Sequence, residues 1–253
     1  MLTHPTLDKL HQMRLRGMAK ALREQMEQPE AEGLSFTDRL ALLIDREMTE
    51  RENWHLKIRL RNAKLQQNAC IEDIDYRSPR GLDKALMMRL AGCDWIRHHD
   101  NVLVVGPTGT GKTYLACALG QKACRDGFHV VYRRAPRLFA EILQAKGEGR
   151  HLKFLALLAK ADLLIIDDWG LAPLENEQRR DLLEIMDDRH GNRSTLITSQ
   201  LPIENWHETI GDGTIADAIL DRLVHNAHKI KMRGESMRKR KAGTKDPLTK
   251  TST

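Results

Sequence analysis

Eight residues, "GPTGTGKT", follow the apolar run "NVLVV". Gly106, Pro107, Thr108, Gly109, Thr110, Gly111, Lys112 and Thr113 stand at the spacing of a loop that wraps phosphates. The glycines let the main chain fold tightly and turn N–H groups toward an anion. Lys112 is expected to reach the β- and γ-phosphate oxygens, and the Thr113 hydroxyl to face Mg²⁺. A helix opening at Thr113 would aim the positive end of its dipole at the same anion. The pattern therefore predicts a bound nucleoside triphosphate, with ATP and Mg²⁺ as the expected cofactors.

"LLIIDD" supplies the second half of such a site. A buried apolar strand that ends in acids sets carboxylates at the C-terminal edge of a sheet, beside the phosphate loop. Asp167 is expected to help hold Mg²⁺, through water. Asp168 is expected to orient or polarise the attacking water. Charge that develops on the γ-phosphate calls for further polar and cationic groups. "TLITSQ" offers Ser199 and Gln200 at the end of the next strand, and either one suits a γ-phosphate sensor. "AILDRLVHNA" offers Arg222 in an otherwise apolar helix, and "GESMR" offers Arg238. A helix salt bridge is the bland alternative for Arg222, and simple solvent or DNA contact for Arg238.

These residues need a scaffold that delivers them to one edge. From Asn101 onward, short apolar runs alternate with helical patterns. "NVLVV", "HVVYRR", "DLLIIDD", "STLITSQ" and "HKIKM" read as strands. "TYLACALGQKACRDG", "PRLFAEILQAK", "HLKFLALLAKA", "ENEQRRDLLEIMDDRHG" and "TIADAILDRLVHNA" read as helices. Continuous apolar strands between helices imply a parallel sheet covered on both faces. Residues 1–70 read as helical throughout. Leu15, Met18, Leu22 and Met26 form one stripe, Pro29 and Gly33 break it, and Ser35 with Asp38 opens a further helix. That helix carries Leu40, Leu43, Ile44 and Met48 on one side, and its continuation is basic. "LDKALMMRLAGCDWIRHHD" reads as one more helix. The expected organisation is a helical N-terminal domain over 1–70, an α/β domain over 71–241 and a flexible basic tail over 242–253.

The 253 residues carry a net charge of +6. From His225 to the end there are nine Lys/Arg against two acids, a distribution suited to neutralising phosphates. Apolar residues make up 41%, yet no run approaches the roughly 18 residues of a membrane span. A cytoplasmic protein is expected, with no membrane partner. Cys70, Cys93, Cys117 and Cys124 form no C-x-x-C pair, and no histidine stands in an H-E-x-x-H arrangement, so neither a disulfide framework nor a zinc site is expected.

The order of parts (phosphate loop, acidic strand end, polar strand end, helix arginine, late arginine) resembles that of the AAA+ ATPases. "GPTGTGKTYLACALGQKAC", "LLIIDDWGLAPL", "TLITSQLP", "ADAILDRLVHNAHKIKMRGESMRK" and "EDIDYRSPRGLDK" are similar to the IstB-type transposition helper ATPases of bacterial insertion sequences. Those are related to the DnaC-type helicase loaders. The resemblance spans nearly the whole chain. It implies a P-loop ATPase fold behind a small all-helical N-terminal domain, and a homo-oligomer with ATP between subunits. It implies that Arg222 is an arginine finger for the next subunit, that Arg238 acts on its own subunit's ATP, and that Gln200 is the sensor, with Ser199 as neighbouring candidate. It further implies assembly on double-stranded DNA, DNA remodelling or target selection, and a cognate transposase whose arrival stimulates hydrolysis. The helical domain would serve self-association or transposase contact. Asp168 departs from the glutamate of many AAA+ enzymes, which fits a slow ATPase. A helicase loader is the alternative. A small-molecule kinase lacks its Arg-rich lid segment here, and a nucleotide-gated module without turnover would be distinguished by Asp168→Ala.

Overall fold

The computed structural model describes residues 4–28 and 33–237. Pro29, Arg238 and the basic tail lie outside the described residues. The chain divides into two compact units, Met1–Ile58 and Arg59–Thr253. The first holds α1 (Pro5–Gln12), α2 (Arg16–Glu27) and most of α3 (Phe36–Ala63). The division thus falls inside α3.

Ser35 caps α3 as its spacing predicts: its hydroxyl accepts from Asp38 N at 3.2 Å and donates to the Asp38 carboxylate at 2.7 Å. Helix α2 has no side-chain cap of its own. Glu47, from the middle of α3, takes that task, accepting from Gly17 N at 2.7 Å and Met18 N at 3.2 Å. Those first-turn donors have no partner inside their own helix. Burial pushes the Glu47 carboxyl up, but Arg51 and the two N–H groups outweigh it and hold the group below its ordinary value of 4.5. The buried contacts of α2 come from Gly17, Ala19 and Ala21, small residues that let helices approach closely. Its larger apolar residues are only half-buried, and Met26 is exposed. On α3, Phe36, Leu40, Ile44 and Met48 recur every fourth residue along one line, and all four are exposed.

The second unit holds the end of α3, then α4 (Lys84–Ala91) and α5 (Asp94–Arg97). The single helix expected here is broken at Gly92 and Cys93, where Gly92 caps α4 and Cys93 takes the left-handed conformation. Then follow β1 (Asn101–Val105), α6 (Lys112–Arg125), β2 (Val130–Arg134), α7 (Ala135–Gly147), α8 (His151–Lys160), β3 (Leu163–Trp169), α9 (Asn176–Arg189) and β4 (Ser194–Ser199). A short 3-10 turn at Ile203–Asn205 leads into α10 (Trp206–Ile210), and α11 (Gly213–Val224) leads into β5 (Ala227–Lys231).

All five strands pair in parallel, in the order β2-β3-β4-β1-β5. β1 and β4 are buried along their whole length, as expected of strands covered on both faces. The sequence reading did not anticipate α10. It exists because Trp206, fully buried, packs against Trp169 with ring centroids 5.9 Å apart. All four cysteines are free, and three are buried. Among the described residues, no helix is long and apolar enough to cross a membrane.

Parallel strands bring their C-terminal ends to one edge. Val105, Arg134, Asp167 and Ser199 therefore stand side by side, and residues that follow Val105, Asp167 and Ser199 line a cavity of about 570 Å³. That volume lies in the usual range for a small-molecule site.

Candidate functional site

The loop after β1 bends back over the N-terminus of α6. Gly109 and Gly111 have φ of +79° and +100°, where a side chain is strained. A Cβ at Gly109 would collide with the Ser236 side chain, and Met237 N donates to Gly109 O at 2.9 Å. Lys112 lies along the loop, its Nζ donating to Gly106 O and Pro107 O, both at 2.8 Å. Thr110 ties the loop to itself through Pro107 O at 2.9 Å.

Thr113 Oγ1 donates toward the Asp167 carboxylate, 3.2 Å and 3.0 Å from its two oxygens. Asp167 is wholly buried. It also accepts from Thr198 Oγ1 and from Tyr132 OH, the latter at 2.6 Å. Burial, and then the bond to Asp167, push the Tyr132 phenol far above its ordinary range, so it stays a donor. Gln66 Oε1 sits against the same hydroxyl.

Adjacent residues on a flat strand point to opposite faces. Asp167 and Asp168 both reach the site because β3 carries a bulge. Ile166 pairs with Ile197 and Trp169 with Ser199, so two residues of β3 oppose Thr198 alone. Asp168 takes the left-handed conformation, φ +57°, and its N–H donates to Thr198 Oγ1 at 3.1 Å. Thr198 thus holds both halves of the bulge. The Asp168 carboxylate lines the cavity and accepts from Arg134 Nε at 2.8 Å, with Nη2 also at 2.8 Å.

The two residues at the end of β4 separate. Ser199 is buried, donates to Trp169 O and accepts from Leu201 N. Gln200 is exposed and lines the cavity. Arg222 stands at the other edge of the sheet. Asn101, the first residue of β1, donates to Arg222 O at 3.0 Å and to Leu223 O at 3.2 Å. The five residues of β1 put roughly 17 Å between that point and the phosphate loop. The guanidinium pairs instead with Asp187 and donates to Ala218 O at 2.7 Å. Arg238 lies outside the described residues. The structure therefore brings together the loop 106–113, Asp167, Asp168 and Gln200, and leaves Arg222 apart.

Several residues at this edge carry no motif. Tyr132 and Arg134 alternate on "VVYRR" with the period of a strand, so a common face was legible, but not that β2 borders β3. Thr198 is one of four hydroxyl residues in "STLITS", with nothing in the sequence to single it out. "DIDYRSPRG" reads as a turn between domains, whereas Asp73, Asp75, Ser78 and Arg80 line the cavity.

A family model described as IstB-like ATP binding protein matches residues 8–244. A Sinorhizobium fredii protein described as an insertion sequence ATP-binding protein is 57% identical over 239 residues, covering 94% of this chain and 98% of its own. The insertion sequence IS21 ATP-binding protein of Pseudomonas aeruginosa is 32% identical, covering 96% of this chain and 92% of its own. Among solved structures, the DnaC helicase loader superposes with a TM-score of 0.54 at 19% identity, covering 68% of this chain and 100% of its own. The replication initiator DnaA, bound to AMPPCP and single-stranded DNA, gives 0.55 at 15% identity, covering 72% of this chain and 56% of its own. At such identities these structures establish the AAA+ fold.

Proposed function

This chain belongs to the family of IstB-like ATP binding proteins, and we propose that it is an AAA+ ATPase that assembles on duplex DNA and assists a transposase. On this reading the triphosphate lies in the loop 106–113, and Lys112 exchanges its two carbonyl partners for phosphate oxygens. Thr113 and Asp167 offer hard oxygen donors at one point, a set that fits Mg²⁺ bound together with phosphates. Bound Mg²⁺ would neutralise charge on the β- and γ-oxygens. Tyr132 and Thr198 hold Asp167 in place for that task. Asp168 orients the attacking water, and Gln200 senses the γ-phosphate. The Arg134 pair occupies the Asp168 carboxylate, which supports slow hydrolysis that speeds up when a partner breaks the pair.

The observation that carries the oligomer is the position of Arg222. It cannot serve its own nucleotide from the far edge of the sheet, so a neighbour's Arg222 would complete each site. Its ion pair with Asp187 is partly exposed, with side-chain accessibilities of 30% and 47%, and is cheap to break. The nine basic residues after His225 suit contact with DNA phosphates. Base-specific readout is not expected from such contacts. The exposed line on α3 supports self-association or transposase contact by the N-terminal unit. Relatives named for insertion sequences favour transposition over helicase loading, since the likeness to DnaC is one of fold. Electron microscopy of the full chain with duplex DNA should reveal ordered oligomers with ATP and none without it. Absence of ATP-dependent assembly by the natural chain would refute the proposal.

A further inference from the structure

Arg80 lies far from the phosphate loop in sequence but against it in space. It is 5% exposed. Nη1 donates to Thr110 O at 3.2 Å, and Nη2 to Asp75 O at 2.8 Å. Both acceptors are neutral carbonyls. The carboxylate of Asp75 is turned elsewhere, accepting from Ser78 Oγ and Arg77 N. Nε is buried and has no hydrogen-bond partner among the described residues. A Cβ on Gly111 would stand 2.7 Å from Nη1, so the guanidinium lies directly on the loop that lines the cavity. The Arg80 main chain is fastened as well, its carbonyl accepting from Arg233 N at 2.8 Å.

A buried cation with two neutral acceptors and a bare donor is under-satisfied. Burial pushes its ionisation downward, against the pull of Asp75 and two tyrosines. A guanidinium stays charged regardless. A group that would repay this cost is an anion entering the cavity that Arg80 lines, and the loop beside it selects phosphate.

We propose that Arg80 is a second phosphate-binding cation of the nucleotide site, donating to the diphosphate of the bound nucleotide alongside Lys112. This rests on the reading of loop 106–113 as the phosphate cradle. Arg80 comes from the segment just before the α/β core, so the site is closed by residues outside the recognised motif.

The test is a calorimetric titration of the full chain with ADP, without divalent ions, for the natural protein, Arg80→Lys and Arg80→Gln. If the natural protein does not bind ADP, the nucleotide reading itself fails. The proposal expects Arg80→Gln to weaken ADP more than tenfold, and Arg80→Lys, which still binds phosphate as a point charge, to stay within about threefold. Gln binding within twofold of the natural protein overturns it. So does Lys binding as weakly as Gln, because that outcome assigns Arg80 only to bridging the carbonyls of Thr110 and Asp75. Thermal unfolding of each variant checks the fold. Should Arg80→Gln not fold, Arg80→Met takes its place with the same two thresholds for ADP.

Discussion

Arg222→Ala and Lys112→Ala should each abolish ATP hydrolysis, and mixing them should restore about a quarter of it. One variant keeps the phosphate loop and lacks the finger, and the other keeps the finger and lacks the loop. The span of about 17 Å along β1 prevents one chain from supplying both to a single nucleotide. A productive site then needs an Arg222→Ala chain to bind ATP and a Lys112→Ala chain to flank it. With equal amounts and random association at a head-to-tail interface, each condition holds half the time, so about one site in four is complete. An arginine finger contributes on the order of a thousandfold or more to rate, so the background from incomplete sites is negligible. Freeing Arg222 from Asp187 costs at most about 1 kcal/mol, which leaves the forecast intact. The assay is phosphate release with ATP and duplex DNA across the mixing ratio. Activity should trace a symmetric arch with its peak at equal amounts. A flat line at the level of the separate variants would refute action between subunits. Full activity of Arg222→Ala alone would refute the role of the residue.

Asp168→Asn should lower turnover by about a hundredfold or more while ATP-dependent assembly persists, because the acid is lost but asparagine accepts the left-handed backbone. Loss of assembly in that variant would show that Asp168 serves binding. Tyr132→Phe removes one donor from Asp167 with little change in volume. It should raise the Mg²⁺ concentration needed for tight ATP binding several-fold and leave ADP binding without Mg²⁺ unchanged; equal Mg²⁺ titrations would sink this role. Glu47 has a lowered carboxyl ionisation in the folded state, so its stabilising contribution is complete above pH 4.5 and fades as pH falls below that value. Melting curves of the natural chain and Glu47→Gln should therefore differ at neutral pH and converge in acid, and a pH-independent gap would contradict the assignment.

The strands and the loop 106–113 were legible because each depends on local pattern: apolar runs of strand length, and glycines at fixed offsets before a Lys-Thr pair. Asp167 was legible because an acid closing an apolar strand has one sensible place in a parallel sheet. The neighbourhood of these residues was not. The pairing of β2 with β3, which delivers Tyr132 and Arg134, is set by strand order, and strand order leaves no local trace. That Ser199 turns inward while Gln200 lines the cavity required knowing that Ser199 bonds to Trp169 O inside the fold. "DIDYRSPRG" looked like a boundary because Pro79 and Gly81 signal a turn. The same turn folds Arg80 onto the phosphate loop, a long-range packing that composition does not encode. α10 escaped notice for a similar reason, since Trp206 is buried by core residues distant in sequence, Trp169 of β3 among them.

The extra residue in β3 also separates two kinds of inheritance. Without it, residues 167 and 168 would face opposite sides of the sheet. With it, on the proposed reading, one position anchors the nucleotide and its neighbour governs how long the nucleotide lasts. On the proposed reading, a lineage can retune residue 168 alone. It can shift the protein between a brief signal and a persistent clamp without disturbing the residue that holds the ligand. Lifetime then becomes an adjustable trait, set by one side chain on a backbone kink.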